Sequence, residues 1–255
     1  MRNEVGVVIP TFERPNQTVR AVQSVLNQST KPTRILVIDD GSREEVRKKL
    51  RSELGSMGVE FLELEHSGHP GKVRKIGVER VDTEWVAFLD SDDEWLPQKI
   101  EKQLFQLQVS GKSAICTNAV FLHTNQNYFS ERIKKRTFKM SDLIKSNPII
   151  CSSAMVSRKH LLEVGSFVDA DSARGAEDYA TWLRIVELTD WEYLSEPLVR
   201  YSNLSPDSLR IEIEQLGTPP NLIGLKDFSK WIYPRKSTYL ELSMLKSKII
   251  KKMSR

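Results

Sequence analysis

Short apolar runs alternate with amphipathic stretches through the first 110 residues. Val5–Ile9 is the first run, halted by Pro10, and Ile35–Ile38 is the second; Val59–Leu64 alternates as a third, and Trp85–Leu89 is the fourth. Continuous runs of this length read as strands buried on both faces, which is the habit of parallel sheets. Between them, Pro15 opens a helix with Val19, Val22, Val25 and Leu26 on one face, and a second helix runs through Leu50 and Leu54. A third follows the Ser67–Gly71 loop and ends near Val81, and a fourth carries Ile100, Leu104 and Leu107. Strand and helix in this rhythm predict a doubly wound, mostly parallel α/β sheet.

The second half is less regular. Ala114–Leu122 and Ile149–Val156 read as strands, separated by a basic stretch at Arg132–Lys139. Arg158–Val164 is a short helix closed by Gly165, Glu177–Leu188 a longer one, and Leu194–Tyr201 a further strand. Beyond Asn203 the pattern loosens, and Gly217-Thr218-Pro219-Pro220 marks a linker. The expected division is 1–113, 114–210 and a tail at 211–255.

Three strands end in polar clusters: Pro10-Thr11-Phe12-Glu13-Arg14, Asp39-Asp40-Gly41-Ser42, and Asp90-Ser91-Asp92-Asp93. If the strands are parallel, all three gather at the carboxyl edge of the sheet, where open α/β sheets bind ligands. The last cluster packs three carboxylates into four positions, which repel one another unless a cation neutralises them. Oxygen donors suit a hard divalent ion, Mg²⁺ or Mn²⁺, that also grips substrate phosphates. Taken singly, each acidic turn is equally a solvated turn, and Asp93 reads as a starter for the helix that follows. Lys72 and Arg74 bring positive charge toward the same edge.

Composition narrows the class. The chain has 255 residues, 39% hydrophobic and 28% charged, as expected of one large domain with an appended segment. No apolar run nears the roughly 20 residues of a membrane span. Met1–Glu4 leads straight into a strand without a signal-peptide core, and Cys116 and Cys151 lie among apolar or small residues. The expectation is a cytoplasmic chain with free thiols. The four histidines form no metal-ligand spacing. The net charge of +4 is uneven: residues 226–255 hold nine Lys/Arg against two Asp/Glu, leaving the rest mildly acidic.

Several motifs in register resemble those of the family-2 glycosyltransferases, inverting enzymes of the GT-A fold. They are Val8-Ile9-Pro10-Thr11 with Arg14; Val37-Ile38-Asp39-Asp40-Gly41-Ser42; Pro70-Gly71 with Arg74 and Gly77; Phe88-Leu89-Asp90-Ser91-Asp92-Asp93; Gly165-Ser166-Phe167; and Glu177-Asp178-Tyr179 with Trp182-Leu183-Arg184. The resemblance runs over about residues 4–202. It implies a nucleotide-diphosphate sugar donor, UDP favoured, a hydroxyl acceptor, and a divalent metal. Asp39 is similar to the carboxylate that accepts the uracil N–H, beside Pro10, Thr11, Glu13 and Arg14. Asp90 resembles the residue near the ribose, Ser91 and Arg74 join it as nucleotide-binding candidates, and Asp92 resembles the metal ligand. Asp178 looks like the general base. Glu177 and Trp182 are candidates to orient the acceptor, although Leu183, Ile185 and Val186 argue for Trp182 in the core. Two departures stand out. Tyr201-Ser202-Asn203 lacks the histidine that often completes the metal shell, and Lys75 replaces a usual asparagine.

The resemblance further implies work on a surface polysaccharide or a lipid-linked saccharide. In the tail, Leu242, Leu245, Ile249 and Met253 recur at helical spacing, with Lys248, Lys251, Lys252 and Arg255 largely apart from them. That is the pattern of a basic amphipathic helix on an anionic membrane, or of a stripe packed on the domain. Few aromatics accompany the basic residues, so no nucleic-acid partner is expected. The competing readings are a non-catalytic nucleotide-sugar binder on this fold and a metal-dependent phosphatase. The phosphatase pattern fits poorly, because it places the paired aspartates on the first strand.

Overall fold

The computed structural model describes residues 3–129, 136–144 and 146–202. The strands are β1 (Val5–Thr11), β2 (Arg34–Asp39), β3 (Glu60–Glu63), β4 (Trp85–Phe88), β5 (Glu94–Trp95), β6 (Ala114–Phe121), β7 (Thr137–Phe138), β8 (Met155–Ser157) and β9 (Trp191–Tyr201). The helices are α1 (Pro15–Leu26), α2 (Glu44–Ser56), α3 (Pro70–Arg80), α4 (Lys99–Ser110), α5 (Met140–Leu143), α6 (Arg158–Glu163) and α7 (Glu177–Ile185). Short 3₁₀ turns occupy Cys151–Ser153 and Asp171–Ala173.

One sheet runs β3-β2-β1-β4-β8-β6-β9-β5, with β7 paired to the outer side of β9. β3, β2, β1 and β4 are parallel; β8 is antiparallel to both β4 and β6, and β6 is parallel to β9. The carboxyl ends of β1, β2, β3, β4, β6 and β9 therefore share one edge. The sheet also joins strands from both sides of residue 113.

Alternate residues of the buried strands feed two apolar layers. Val8, Ile38, Val86 and Phe88 pack with α3 and α7 residues such as Val73, Val78 and Trp182. Val7, Ile9, Val37, Ala87 and Leu89 pack with Val22 of α1, Leu50 of α2 and Ile100 of α4. Both faces are covered, which is why the strand runs carry no polar alternation. Helix α3 lies unusually close to the sheet at Gly77, where an added Cβ would stand 2.4 Å from the Cγ1 of the fully buried Val8. Gly77→Ala is expected to lower unfolding free energy by about 1–3 kcal/mol, the cost of overpacking a closed core, measured by urea denaturation.

Four expectations change. Pro10 does not halt β1, which continues to Thr11 in register with Asp39. The carbonyls of Glu4 and Val8 bond toward β4 and those of Val5 and Thr11 toward β2. Pro10 thus faces the β4 side, where its missing N–H ends the ladder after Val8 and Phe88, while pairing with β2 runs on to Thr11. After the acidic turn the chain makes β5, antiparallel to β9, before α4 begins at Lys99, so Asp93 starts no helix. The expected strand at Ile149–Val156 is interrupted in its middle by the 3₁₀ turn Cys151–Ser153, and only Met155 and Val156 fall in the three-residue β8. β9 starts earlier than expected, at Trp191, and runs past a bulge opposite Thr117–Ala119. The tail and its helical pattern lie outside the described residues.

Candidate active site

On the first half of the edge, β1 and β2 end side by side. Asp39 is fully buried. Its carboxylate accepts the Ser42 N–H at 3.0 Å, the Ser42 hydroxyl, and Nε of Arg47 at 2.8 Å. A carboxylate offers about four lone-pair positions, so roughly one is left unfilled by these three donors. Gly41 (φ +83°) turns the chain back for this contact; a side chain there would stand 2.4 Å from the His66 backbone. Asp40 faces the other way and fixes the following loop, accepting Ser67 N at 2.9 Å, Ser67 Oγ at 2.8 Å and Gly68 N at 2.9 Å. That loop stacks His66 on Phe12 at 4.3 Å, and Phe12 is 42% exposed.

Glu13 sits in the left-handed region (φ +55°). Its carboxylate accepts both N–H (2.6 Å) and Nε (2.8 Å) of Arg43, and the backbone donation above all holds its pKa down. Thr11 is buried against the Thr18 hydroxyl at 2.7 Å. Pro10 is half-buried beside it.

The acidic turn is held from three directions. Arg14 Nη1 donates to Asp92 Oδ2 at 2.7 Å. Arg74 Nη2 donates to Asp90 Oδ1 at 2.6 Å, while its Nη1 donates to Glu177 Oε1 at 2.8 Å. This buried guanidinium therefore ties the end of β4 to the start of α7. Asp93 is buried and accepts the Ser152 hydroxyl and the Ser202 N–H, the latter at 2.7 Å. Burial, with Asp92 and Asp90 adding repulsion, pushes the Asp93 pKa well up. Burial also raises that of Asp92; Arg14 opposes this and Asp90 adds to it. Ser91 is buried between them.

Two carboxylates open α7 and are treated differently. Glu177 is buried, with Gly175 N–H on one oxygen (2.7 Å) and Arg74 on the other. Asp178 is half-buried, with its own neighbour's N–H as a donor. Burial and then the Glu177 charge push its pKa up to about 7 against the pull of Arg74. A carboxylate with that proton affinity is poised for proton transfer near neutral pH.

The edge thus gathers Thr11, Arg14, Asp39, Arg74, Asp90, Asp92, Glu177 and Asp178. Glu13 is turned into an ion pair with Arg43. Trp182 needs correction as an acceptor candidate: it is fully buried and packs on Phe88, Phe167 and Trp191, because it points from α7 into the sheet. Sequence reading passed over Arg47, Phe12 and Ser152. It also left His69 without a role. His69 accepts Gly71 N–H through Nδ1, capping α3, and its Nε2 donates to Ala170 O at 2.9 Å. Ahead of Pro70, that cap was the one legible signal. Among the described residues, no three His, Cys, Asp or Glu side chains form a metal cluster.

A doubly wound sheet that brings a buried aspartate after β2, an acidic turn after β4 and a carboxylate of raised pKa to one edge is an α/β architecture of GT-A type. Residues 6–165 match the profile of Glycosyl transferase family 2, and the chain belongs to that family. It is 27% identical over 202 residues to the putative teichuronic acid biosynthesis glycosyltransferase TuaG of Bacillus subtilis, covering 77% of this chain and 78% of that one. It is 25% identical over 183 residues to the UDP-Glc:α-D-GlcNAc-diphosphoundecaprenol β-1,3-glucosyltransferase WfgD of Escherichia coli (72% and 70% covered). An uncharacterized glycosyltransferase of Rickettsia bellii is 27% identical over 191 residues, 71% of this chain and 26% of that protein. The chain thus spans about a quarter of that relative's length. The fold matches S. aureus TarS, residues 1–349, solved with UDP: TM-score 0.66, 17% identity, 80% of this chain and 61% of that one. The UDP-GlcNAc complex gives TM-score 0.66 at 16% identity, with 80% and 60% covered. Among the described residues, no helix is long and apolar enough to cross a membrane.

Proposed function

We propose that the chain transfers a sugar, with inversion, from a nucleotide-diphosphate sugar, with UDP the favoured nucleotide, to a hydroxyl of a saccharide or lipid-linked saccharide. The observation that carries this reading is Arg74, which locks the acidic turn after β4 to the α7 carboxylates, so that donor side and proton acceptor meet at one edge. The unfilled lone pair of Asp39 suits an imide N–H such as that of uracil, and the exposed ring of Phe12 offers a stacking face. Asp90, Asp92 and Ser91 stand toward the diphosphate.

The donor set fits a hard divalent ion, Mn²⁺ or Mg²⁺. Burial and Asp90 both penalise charge on Asp92, and Arg14 meets one of its oxygens. Asp92 would hold the ion with Asp90 beside it; when bound, it stabilises charge on the leaving diphosphate as a Lewis acid. Asp178 takes the proton of the attacking hydroxyl. Glu177, engaged on both oxygens, orients α7 and Arg74 rather than accepting that proton. One displacement requires no covalent nucleophile and inverts the anomeric carbon.

The names of the Bacillus and Escherichia relatives support surface-polysaccharide assembly, the latter with a diphosphoundecaprenol-linked acceptor. A cytoplasmic chain peripheral on the inner membrane face fits such an acceptor, with residues 1–113 as donor half and 114–210 as acceptor half. The test is a screen of nucleotide sugars for hydrolysis and transfer with and without Mn²⁺. UDP-sugar turnover that stops in chelator is expected; no binding and no turnover with any nucleotide sugar overturns the reading. Deleting residues 238–255 should abolish cosedimentation with anionic liposomes at low salt. A full-length chain that never pellets with them removes the tail's membrane role.

A further inference from the structure

The acidic turn rests on a piece of structure that the proposed chemistry does not use. The 3₁₀ turn Cys151–Ser153 is buried throughout, and the Ser152 side chain is fully inaccessible. Ser152 Oγ accepts the N–H of Asp90 at 3.0 Å and donates to Asp93 Oδ2. One hydroxyl thereby spans the first and last residues of Asp90-Ser91-Asp92-Asp93. The other Asp93 oxygen accepts the N–H of Ser202, at the end of β9. The turn that holds Ser152 is itself pinned from behind: Trp95 Nε1 donates to Ser152 O and Gln103 Nε2 to Ser153 O, both at 2.8 Å. Lys99 completes the backing, with Nζ on Gln103 Oε1 at 2.8 Å and 3.9 Å from the Trp95 ring.

We infer that Ser152 and Asp93 are positioning residues for the donor site. Asp93, although third in the acidic run, holds no ligand; with Ser152 it fixes the backbone from which Asp90 and Asp92 project. Three adjacent carboxylates in a poorly solvated turn spread apart by repulsion unless the backbone is held. The Ser152 hydroxyl supplies that hold at one end by accepting, and at the other by donating. The two oxygens of Asp93 are both occupied by protein donors, which disqualifies it as a freely facing ligand. Its buried carboxyl group is matched by two hydrogen bonds, an arrangement costly to disturb from either side. The inference rests on the proposed donor site for its functional consequence, not for its geometry.

A matched pair of variants tests it. Ser153 is equally buried, and its hydroxyl donates to Ile150 O at 2.8 Å without touching the acidic turn. Ser152→Ala and Ser153→Ala each remove one buried hydroxyl from the same turn. In Ser152→Ala, backbone hydrogen exchange across residues 89–95 should accelerate, UDP affinity in Mn²⁺ should fall about 10–100-fold, and donor KM should rise more than kcat falls, on the scale of lost outer-shell contacts. Asp93→Asn should do the same, and the double variant should fall well short of the sum of the singles, because both disturb the shared Ser152–Asp93 hydrogen bond. Ser153→Ala should keep wild-type exchange at 89–95 and wild-type affinity despite a comparable loss in Tm. Unchanged exchange at 89–95 in Ser152→Ala, or equal effects of the two alanines on UDP affinity, overturns the inference. A wild type without affinity for any nucleotide overturns the proposed function alone, and the exchange comparison still decides the positioning role.

Discussion

Asp178→Asn is expected to bind UDP within about twofold of wild type while transfer falls by roughly 10²-fold or more, the usual scale for a lost general base. The amide keeps the size of the side chain and the Tyr179 N–H contact, so donor-side geometry should survive. The wild-type rate should depend on pH through the same group. With a pKa pushed up to about 7, kcat should fall about tenfold per unit below that value and level off above it. Stability should run the opposite way. The folded chain binds this proton more tightly than the unfolded chain. The resulting stabilisation is complete below the ordinary carboxylate range and is lost as pH rises through about 7. At pH 8 the Asp178→Asn variant should therefore melt above wild type, and at pH 4 the gap should close. A matching loss of UDP affinity, or a flat pH profile, would show that Asp178 serves only to shape the helix start.

Asp92→Asn is expected to remove the divalent dependence of donor binding and to reduce transfer by about 10²–10³-fold, the scale of losing one strong electrostatic contact to a developing charge. The fold should persist, because burial and Asp90 already penalise ionised Asp92. Arg14 loses its ion pair with Asp92 in this variant, and its charge at the same edge is expected to keep residual metal-free binding above zero. Titration calorimetry of UDP with and without Mn²⁺ reads both effects. Full activity of the variant, or of wild type in excess chelator, removes Asp92 from the site.

Much of this was legible in the chain because buried parallel strands leave a strong one-dimensional trace. Apolar runs at β1, β2 and β4, each stopped by polar residues, fixed which residues reach the carboxyl edge. The weak spots were places where tertiary pairing overrides local pattern. Pro10 reads as a stop, yet its missing N–H ends pairing only on the β4 side and leaves the β2 side intact. Ile149–Val156 reads as a strand, yet buried hydrogen bonds from Trp95 and Gln103 hold its middle as a 3₁₀ turn. Asp93 reads as a helix starter, yet the pairing of Glu94 and Trp95 with β9 interposes a strand.

The order of strands and helices, and Asp39, Asp90 and Asp92 as residues at the carboxyl edge, were set by sequence alone, because spacing along a repeating βα unit determines which side chains emerge there. The family and Asp178 were legible only through the resemblance of the motifs. Which of those carboxylates are engaged and which are poised was decided only in three dimensions. Glu177 and Asp178 are adjacent and chemically alike, but Arg74, 103 residues from Glu177, takes one and leaves the other with a pKa near 7. Glu13 and Asp93 are likewise absorbed by Arg43 and by Ser152 with Ser202. Charge and proton affinity depend on distance and burial, and those are properties of the packed chain rather than of its order.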